Sequence, residues 1–290
     1  MHTYMVYYIS NTVLSTTAIY YLLNYAKFDI FRQLFIRQTN THFLFERWAR
    51  DGKDFMENSG AIISVEDLSK VFQVGSEKIA ALNGVTFSIP KGQICCIVGT
   101  SGSGKSTLLN QLAGLEKPTR GHVMIGKRNI STMSEGLLAR FRQQHVGFIF
   151  QSYNLMAAMT ALENVSMPLI FRGMSKNKRE AAAKKILEEV GLRERMRHKP
   201  SQMSGGQQQR VGIARAFVGT PKIIFADEPT GNLDTKTTME VMAMMVRLCK
   251  EQGQTLVLVT HDLEIAEYAD RTITMRDGVI VDDHLNTNPE

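Results

Sequence analysis

The sequence predicts an α/β fold: a mainly parallel sheet covered by helices, joined to a small antiparallel β subdomain and a helical subdomain. Three observations predict it. Apolar runs at 93–99 (QICCIVG), 146–150 (VGFIF), 222–226 (KIIFA) and 255–259 (TLVLV) have the make-up of strands buried on both faces. Helical patterns alternate with them, as a sheet with covered faces requires. The stretch from about 150 to 220 is mostly helical in pattern and marks a subdomain of its own.

Each element has a local reason. Residues 61–72 (AIISVEDLSKVF) and 79–89 (IAALNGVTFSI) are strand-like around a turn, which predicts the small antiparallel sheet. A helix opens at Lys105. Thr160 and Glu163 have capping-box spacing. Residues 179–190 (REAAAKKILEEV) are Ala-rich, with Ile186, Leu187 and Val190 on one face. Asp277-Gly278, between TITM and VIVD, reads as a hairpin turn. No internal repeat is visible.

The first sixty residues differ from the rest. Six of the eight tyrosines lie before residue 26, and no charged residue precedes Lys27. The stretch 1–26 is long enough to cross a bilayer, which takes about 20 residues. Its seven Leu, Ile and Val residues supply only about −2 to −4 kcal/mol of insertion energy, and nine Ser, Thr, Asn and His residues oppose it. It lacks the basic start of a signal peptide. Two readings stay open: a membrane-peripheral helix, or an upstream extension ahead of a start at Met56. Residues 1–60 are therefore set apart from 61–290, with the helical subdomain at about 152–220.

Over its 290 residues the chain carries a net charge of +6, which permits contact with phosphates or a membrane surface and demands neither. No long single-sign block marks a nucleic-acid tail. Cys95, Cys96 and Cys249 lack metal-ligand spacing and are expected as buried thiols of a reducing compartment.

Residues 99–107 (GTSGSGKST) fit the phosphate-binding P-loop pattern, after a buried strand and at the start of a helix. Gly99, Gly102 and Gly104 let the backbone of Gly99, Thr100, Ser101, Gly102, Ser103 and Gly104 curl, so that N–H groups point at phosphate oxygens. The helix N-terminus adds partial positive charge. Lys105 is expected at the β- and γ-phosphates, Ser106 at Mg²⁺ and Thr107 at the α-phosphate.

The run 222–226 leads into Asp227 and Glu228. Two adjacent carboxylates at the end of a buried strand repel each other, and a cation offsets that cost. Asp227 is assigned to Mg²⁺. Glu228 is left to take a proton from an attacking water. Gln151 and His261 follow two other apolar strands, where open α/β sheets place their ligands. They are read as a metal- or water-contacting switch and a γ-phosphate sensor.

With these features, the segment MSGGQQQR at 203–210 resembles the signature of the ABC ATPases. FQSYNL, IIFADEP, GNLD and VTHD occur in the order of that family. The resemblance spans 61–290. Met203 stands where Leu is usual, a swap that conserves volume. The resemblance implies ATP and Mg²⁺ as ligands and a P-loop NTPase core. It implies a head-to-tail dimer in which Ser204, Gly205, Gly206 and Gln207 close over the partner's nucleotide, the glycines being small enough to allow that approach. It further implies Phe72 as the aromatic stacked on adenine, Asp234 in the loop that communicates across the dimer, and no nucleic acid as partner. The group most resembled serves lipoprotein-releasing, macrolide-efflux and antimicrobial-peptide-resistance systems and a related cell-division complex. For such a protein the expected partners are a second cassette, as a homodimer, and a separate few-span membrane permease. Its expected location is the cytoplasmic face of the membrane. The alternative class is a soluble ABC-type ATPase acting on nucleic acid or the ribosome; a P-loop kinase or GTPase fits the signature poorly.

Overall fold

The computed structural model describes residues 60–287. The readings placed on 1–59, among them the membrane-peripheral helix and the start at Met56, lie outside the described residues.

Two sheets organise the described unit. In the first, β1 (Ala61–Val74) and β2 (Glu77–Pro90) form a long hairpin, and β4 (Arg120–Ile125) and β5 (Arg128–Asn129) extend it in the order β2-β1-β4-β5, antiparallel throughout. The second has the order β10-β9-β3-β8-β7-β6. There β3 (Ile94–Val98), β6 (Val146–Phe150), β7 (Ile223–Asp227), β8 (Thr255–Thr260) and β9 (Arg271–Arg276) run parallel. The edge strand β10 (Val279–Leu285) returns antiparallel to β9. The predicted turn joins them, with Asp277 (φ 49°) and Gly278 (φ 77°) both left-handed, as a two-residue hairpin loop requires.

The parallel strands are apolar on both faces because each face has its own core. Ile94, Cys96, Ile224, Ala226, Leu256 and Leu258 face one core. Their neighbours Cys95, Ile97, Ile223, Phe225, Val257 and Val259 face the other. The second core lies against the antiparallel sheet, α1 (Lys105–Leu112) and α2 (Glu135–His145). The first lies against α3 (Ala161–Phe171), α4 (Lys176–Glu189), α5 (Gly205–Phe217), α6 (Thr235–Gln252) and the short α7 (Leu263–Ala266). All three cysteines are buried free thiols. Burial pushes Cys95 and Cys249 up to about 12, and Cys96 is raised as well.

The helical subdomain comprises α3, α4, two short 3-10 turns and α5. Its entry is fixed by the capping box: Thr160 N–H donates to Glu163 Oε2 (2.8 Å), and Glu163 N–H donates to Thr160 Oγ1 (3.3 Å). Ile186, Leu187 and Val190 are buried, as their spacing predicts. One polar side chain organises the approach to α3. Asn164 is fully buried; its Oδ1 accepts from Met156 N–H (2.8 Å), and its Nδ2 faces the carbonyls of Met156, Met159 and Thr160 at 3.0–3.2 Å. Asn164→Ala strands several of these buried groups at once. We expect a loss of about 2–3 kcal/mol in urea unfolding, more than an ordinary surface change.

Candidate active site

The ends of the parallel strands assemble the site. After β3 the chain turns through Gly99, Gly102 (φ 81°) and Gly104 (φ 99°) into α1. A Cβ on Gly99 would strike the Met275 carbonyl and Ser103 Oγ; one on Gly104 would strike the Ala81 carbonyl. Gly104 occupies the N-cap of α1 without a side-chain cap. Lys105 is buried, and its ammonium donates to the carbonyls of Gly99 (2.8 Å) and Thr100 (2.9 Å). Ser103 Oγ is buried and has no hydrogen-bond partner among the described residues. Thr100 and Ser101 are exposed, and Thr107 is half-buried.

Ser106 Oγ lies 3.2 Å from Asp227 Oδ1 and donates to it. This hydroxyl and carboxylate form the hard oxygen pair that a magnesium ion takes. Burial holds the Asp227 carboxyl above its ordinary range, and Glu228 adds to the rise; Ser106 and Lys105 oppose it.

Glu228 sits in an unusual backbone. Its φ is +46°, and it precedes Pro229, a position biased toward extended conformations. A non-glycine residue held this way costs about 1–3 kcal/mol. Three bonds hold it. Its N–H donates to the Val259 carbonyl (3.0 Å), its carbonyl accepts from Gly231 N–H (3.1 Å), and Oε1 lies 2.9 Å from His261 Nδ1. An ionised carboxylate only accepts, so the nitrogen facing it is the protonated one. The expectation of a free Glu228 and a separate His261 is thus refined: the two form one pair.

Gln151 leaves β6 beside this turn. Its carbonyl accepts from Asn232 Nδ2 (2.9 Å), and its amide packs where a Cβ on Gly231 would stand. Phe72 is half-buried near the end of β1, with the Lys70 ammonium 5.1 Å from its ring centroid. It belongs to neither buried core.

The second group of predicted residues opens α5. Ser204 and Gln207 form a capping box: Gln207 N–H donates to Ser204 Oγ (3.3 Å), and Ser204 N–H donates to Gln207 Oε1 (3.1 Å). The glycine pair also has close neighbours inside this chain. A Cβ on Gly205 would lie 2.9 Å from Tyr153 Oη, and one on Gly206 would lie 2.7 Å from Thr237 Cγ2. A side chain at either position would have to displace that neighbour within this chain. Asp234 caps α6, accepting from Thr237 N–H (3.0 Å) and Thr237 Oγ1 (2.6 Å), and these bonds lower its pKa. Among the described residues no hydrogen bond joins 204–207 to the loop at 99–107.

Sequence reasoning missed two residues on α5. Gln209 is fully buried, although a run of three glutamines reads as surface. Its Nε2 donates to the carbonyl of Pro229, beside Glu228. Arg215 donates to the carbonyls of Tyr153 (2.9 Å) and Asn154 (2.6 Å), both left-handed at φ 59° and 48°. Asn154 next to an aromatic was a faint turn signal; nothing in the sequence marks Tyr153 or Gln209.

Residues 82–231 match the model of the ABC transporter family. The chain belongs to that family. An uncharacterized ABC transporter ATP-binding protein of Thermotoga maritima is 48% identical over 76% of this chain and 93% of its own length. The lipoprotein-releasing system ATP-binding protein LolD of Geobacter metallireducens is 44% identical over 77% of this chain and 99% of its own. The macrolide export ATP-binding/permease protein MacB of Vibrio parahaemolyticus is 44% identical over 79% of this chain, which spans only 35% of that protein's length. Among solved structures, a dimeric bacterial ABC transporter cassette aligns with a TM-score of 0.72 at 42% identity, covering 77% of this chain and 98% of that one. The same cassette in a dimeric post-hydrolysis state bound to ADP and phosphate also scores 0.72, at 41% identity and the same coverage. This chain is accordingly an ABC-type ATPase cassette that binds nucleotide.

Two outcomes follow from the geometry of the cassette. Gly205→Ala sets a methyl against the Tyr153 hydroxyl and should destabilise the protein by about 1–3 kcal/mol; adding Tyr153→Phe should restore most of the lost melting temperature. For Asp227 the sign follows from its raised pKa. Below the ordinary value of 3.8 the carboxyl is protonated folded and unfolded, with no penalty. As pH rises through the higher folded pKa, ionisation is opposed only in the folded state, and stability is lost. In chelator, Asp227→Asn should therefore be more stable than wild type near neutral pH, with the gap closing as pH falls toward 3.8.

Proposed function

We propose that this cassette is the energising subunit of a membrane transporter, in which two copies pair head-to-tail around two Mg-ATP. The observation that carries this reading is the row at the strand ends: Ser106 beside Asp227, then Glu228 bonded to His261. The orphaned Ser103 hydroxyl and the cradle that a Cβ at Gly99 or Gly104 would fill suit a triphosphate. Gly99 to Thr107 would hold the phosphates, and Phe72 the adenine. Ser106, Asp227 and Gln151 would hold Mg²⁺, which when bound supplies positive charge against the phosphate oxygens.

The chain's own residues do the rest. Glu228 accepts the proton of an attacking water. His261 fixes that carboxylate through Nδ1 and keeps Nε2 for a phosphate oxygen. Nε2 donates there only as imidazolium, since Nδ1 already carries a proton. The dimeric cassettes among the solved relatives support a second copy completing the site. Ser204, Gly205, Gly206 and Gln207 would then face the partner's nucleotide, with Asp234 beside them.

A partner permease suits the groove of about 560 Å³ between α2, β6 and α3, where Phe148, Met167, Pro168 and Phe171 give an apolar lining and Arg140 and Arg172 stand among them. Phe171 is 68% exposed there. Such a partner places the cassette at the cytoplasmic face of the membrane. Among the described residues no helix is long and apolar enough to cross it. We propose a few-span permease on a separate chain; the lipoprotein-releasing relative is named as an ATP-binding protein alone, which fits a separate partner.

The test is Glu228→Gln. Turnover should fall by about 10²–10⁴-fold, Mg-ATP should still bind, and sedimentation should show an ATP-dependent dimer. A variant that stays monomeric at high concentration with Mg-ATP, with and without permease, removes the proposed mechanism. Stimulation of the wild type by nucleic acid and by no permease would favour the soluble class instead.

A further inference from the structure

We infer that Gln209 is a positioning residue for hydrolysis, acting through the backbone turn that carries Glu228. The inference rests on the reading of Glu228 as the base. Gln209 is fully buried on α5, about one turn from the helix N-terminus and within the signature segment 203–210. Its amide nitrogen donates to the carbonyl of Pro229, which is also buried. Its Oε1 is buried and finds no donor among the described residues. Gly212 leaves room beside it, since a Cβ there would stand 3.7 Å from that oxygen. A buried amide that leaves its oxygen unpaired costs free energy, and what the position gains in return is the bond to the buried Pro229 carbonyl, which an apolar side chain of similar size would leave without a donor.

The turn it touches has particular need of a hold. Glu228 is left-handed at φ +46° and also precedes a proline. Both conditions favour relaxation to an extended backbone, which would swing the carboxylate away. Proline has no N–H, so the carbonyl of residue 229 is its sole backbone hydrogen-bonding group. On the other side the turn is tied to β8 through Val259 and to His261. Gln209 supplies the tie from the helical subdomain. It joins the helix whose first turn is proposed to meet the partner's nucleotide to the turn that activates water at this chain's own nucleotide.

The test is single-turnover ATP hydrolysis by wild type, Gln209→Leu, Glu228→Gln and the double variant, each corrected for folded fraction. Gln209→Leu should slow hydrolysis at least about tenfold while Mg-ATP affinity stays within about twofold. Because the effect runs through Glu228, adding Gln209→Leu to Glu228→Gln should change the remaining rate by less than about twofold. An equal loss in both backgrounds, or a Gln209→Leu rate within about twofold of wild type, overturns the inference. Undiminished hydrolysis by Glu228→Gln alone would instead sink the reading of the base. Should Gln209→Leu not fold, Gln209→Glu decides. Its protonated carboxyl donates to Pro229 and its ionised form cannot, so its rate relative to wild type should climb from about pH 8 to about pH 6. Parallel profiles overturn the inference.

Discussion

The register of the parallel sheet is the constraint on which the site depends. Val98 pairs with Thr260, Val259 with Asp227, and Asp227 with Phe150. The residues that follow, Gly99, His261, Glu228 and Gln151, therefore emerge in one row. Register is specified because β3, β7 and β8 are buried on both faces, each face against a different core, and β6 is fully buried on one face. A one-residue slip would exchange the faces of a whole strand and move its terminal residue out of the row. Burial creates the row and also its strain: Asp227 is carried far enough into the protein that its charge is opposed. A cation beside it would relieve that cost.

The turns beyond the strands cannot hold themselves. Tyr153, Asn154 and Glu228 are non-glycine residues with φ of 59°, 48° and 46°, each costing about 1–3 kcal/mol. Helix α5 braces both places. Arg215 reaches the carbonyls of Tyr153 and Asn154, and Gln209 reaches that of Pro229. The glycines at its start let Tyr153 and Thr237 pack closely onto it. A further tie comes from Arg172 just past α3, whose guanidinium donates to the carbonyls of Gln143 (2.7 Å) and Gly219 (2.5 Å). The helical subdomain is thus bonded to both chain segments that connect it to the sheet.

These dependencies explain what was legible in the sequence. Buried strands show as apolar runs, and each run ended within a residue of its strand. The phosphate loop, the Thr160–Glu163 capping box and the Asp277-Gly278 turn show because glycine, serine and threonine act on the backbone within four residues of themselves; the Ser204–Gln207 box has the same spacing and was not read from it. The strand β4 (RGHVMI) and the tiny β5 escaped notice, since Arg, Gly and His break the apolar pattern and long-range pairing alone makes them strands. Gln209 and Arg215 were illegible for a stronger reason. Their partners lie 20 and 61–62 residues away, and a buried amide looks like a surface amide until the fold is known. The glycine pair was legible as a feature, but its neighbours Tyr153 and Thr237, distant in sequence, were not.

The capping box at α5 bears on what its first turn can offer an anion. Gln207 N–H takes a lone pair of Ser204 Oγ and leaves the hydroxyl proton unused. Ser204 N–H takes Gln207 Oε1 and leaves the amide NH₂ of Gln207 to donate elsewhere. Both side chains thus spend acceptors on the helix and keep donors. The first-turn N–H groups of Gly205 and Gly206 add to these, and neither glycine carries a side chain to cover them. A helix start arranged the other way, with carboxylates in its first turn, would be equally well capped and would repel phosphate. In this chain the first turn of α5 contains no acidic residue, so one set of caps stabilises the helix and keeps its end open to a triphosphate.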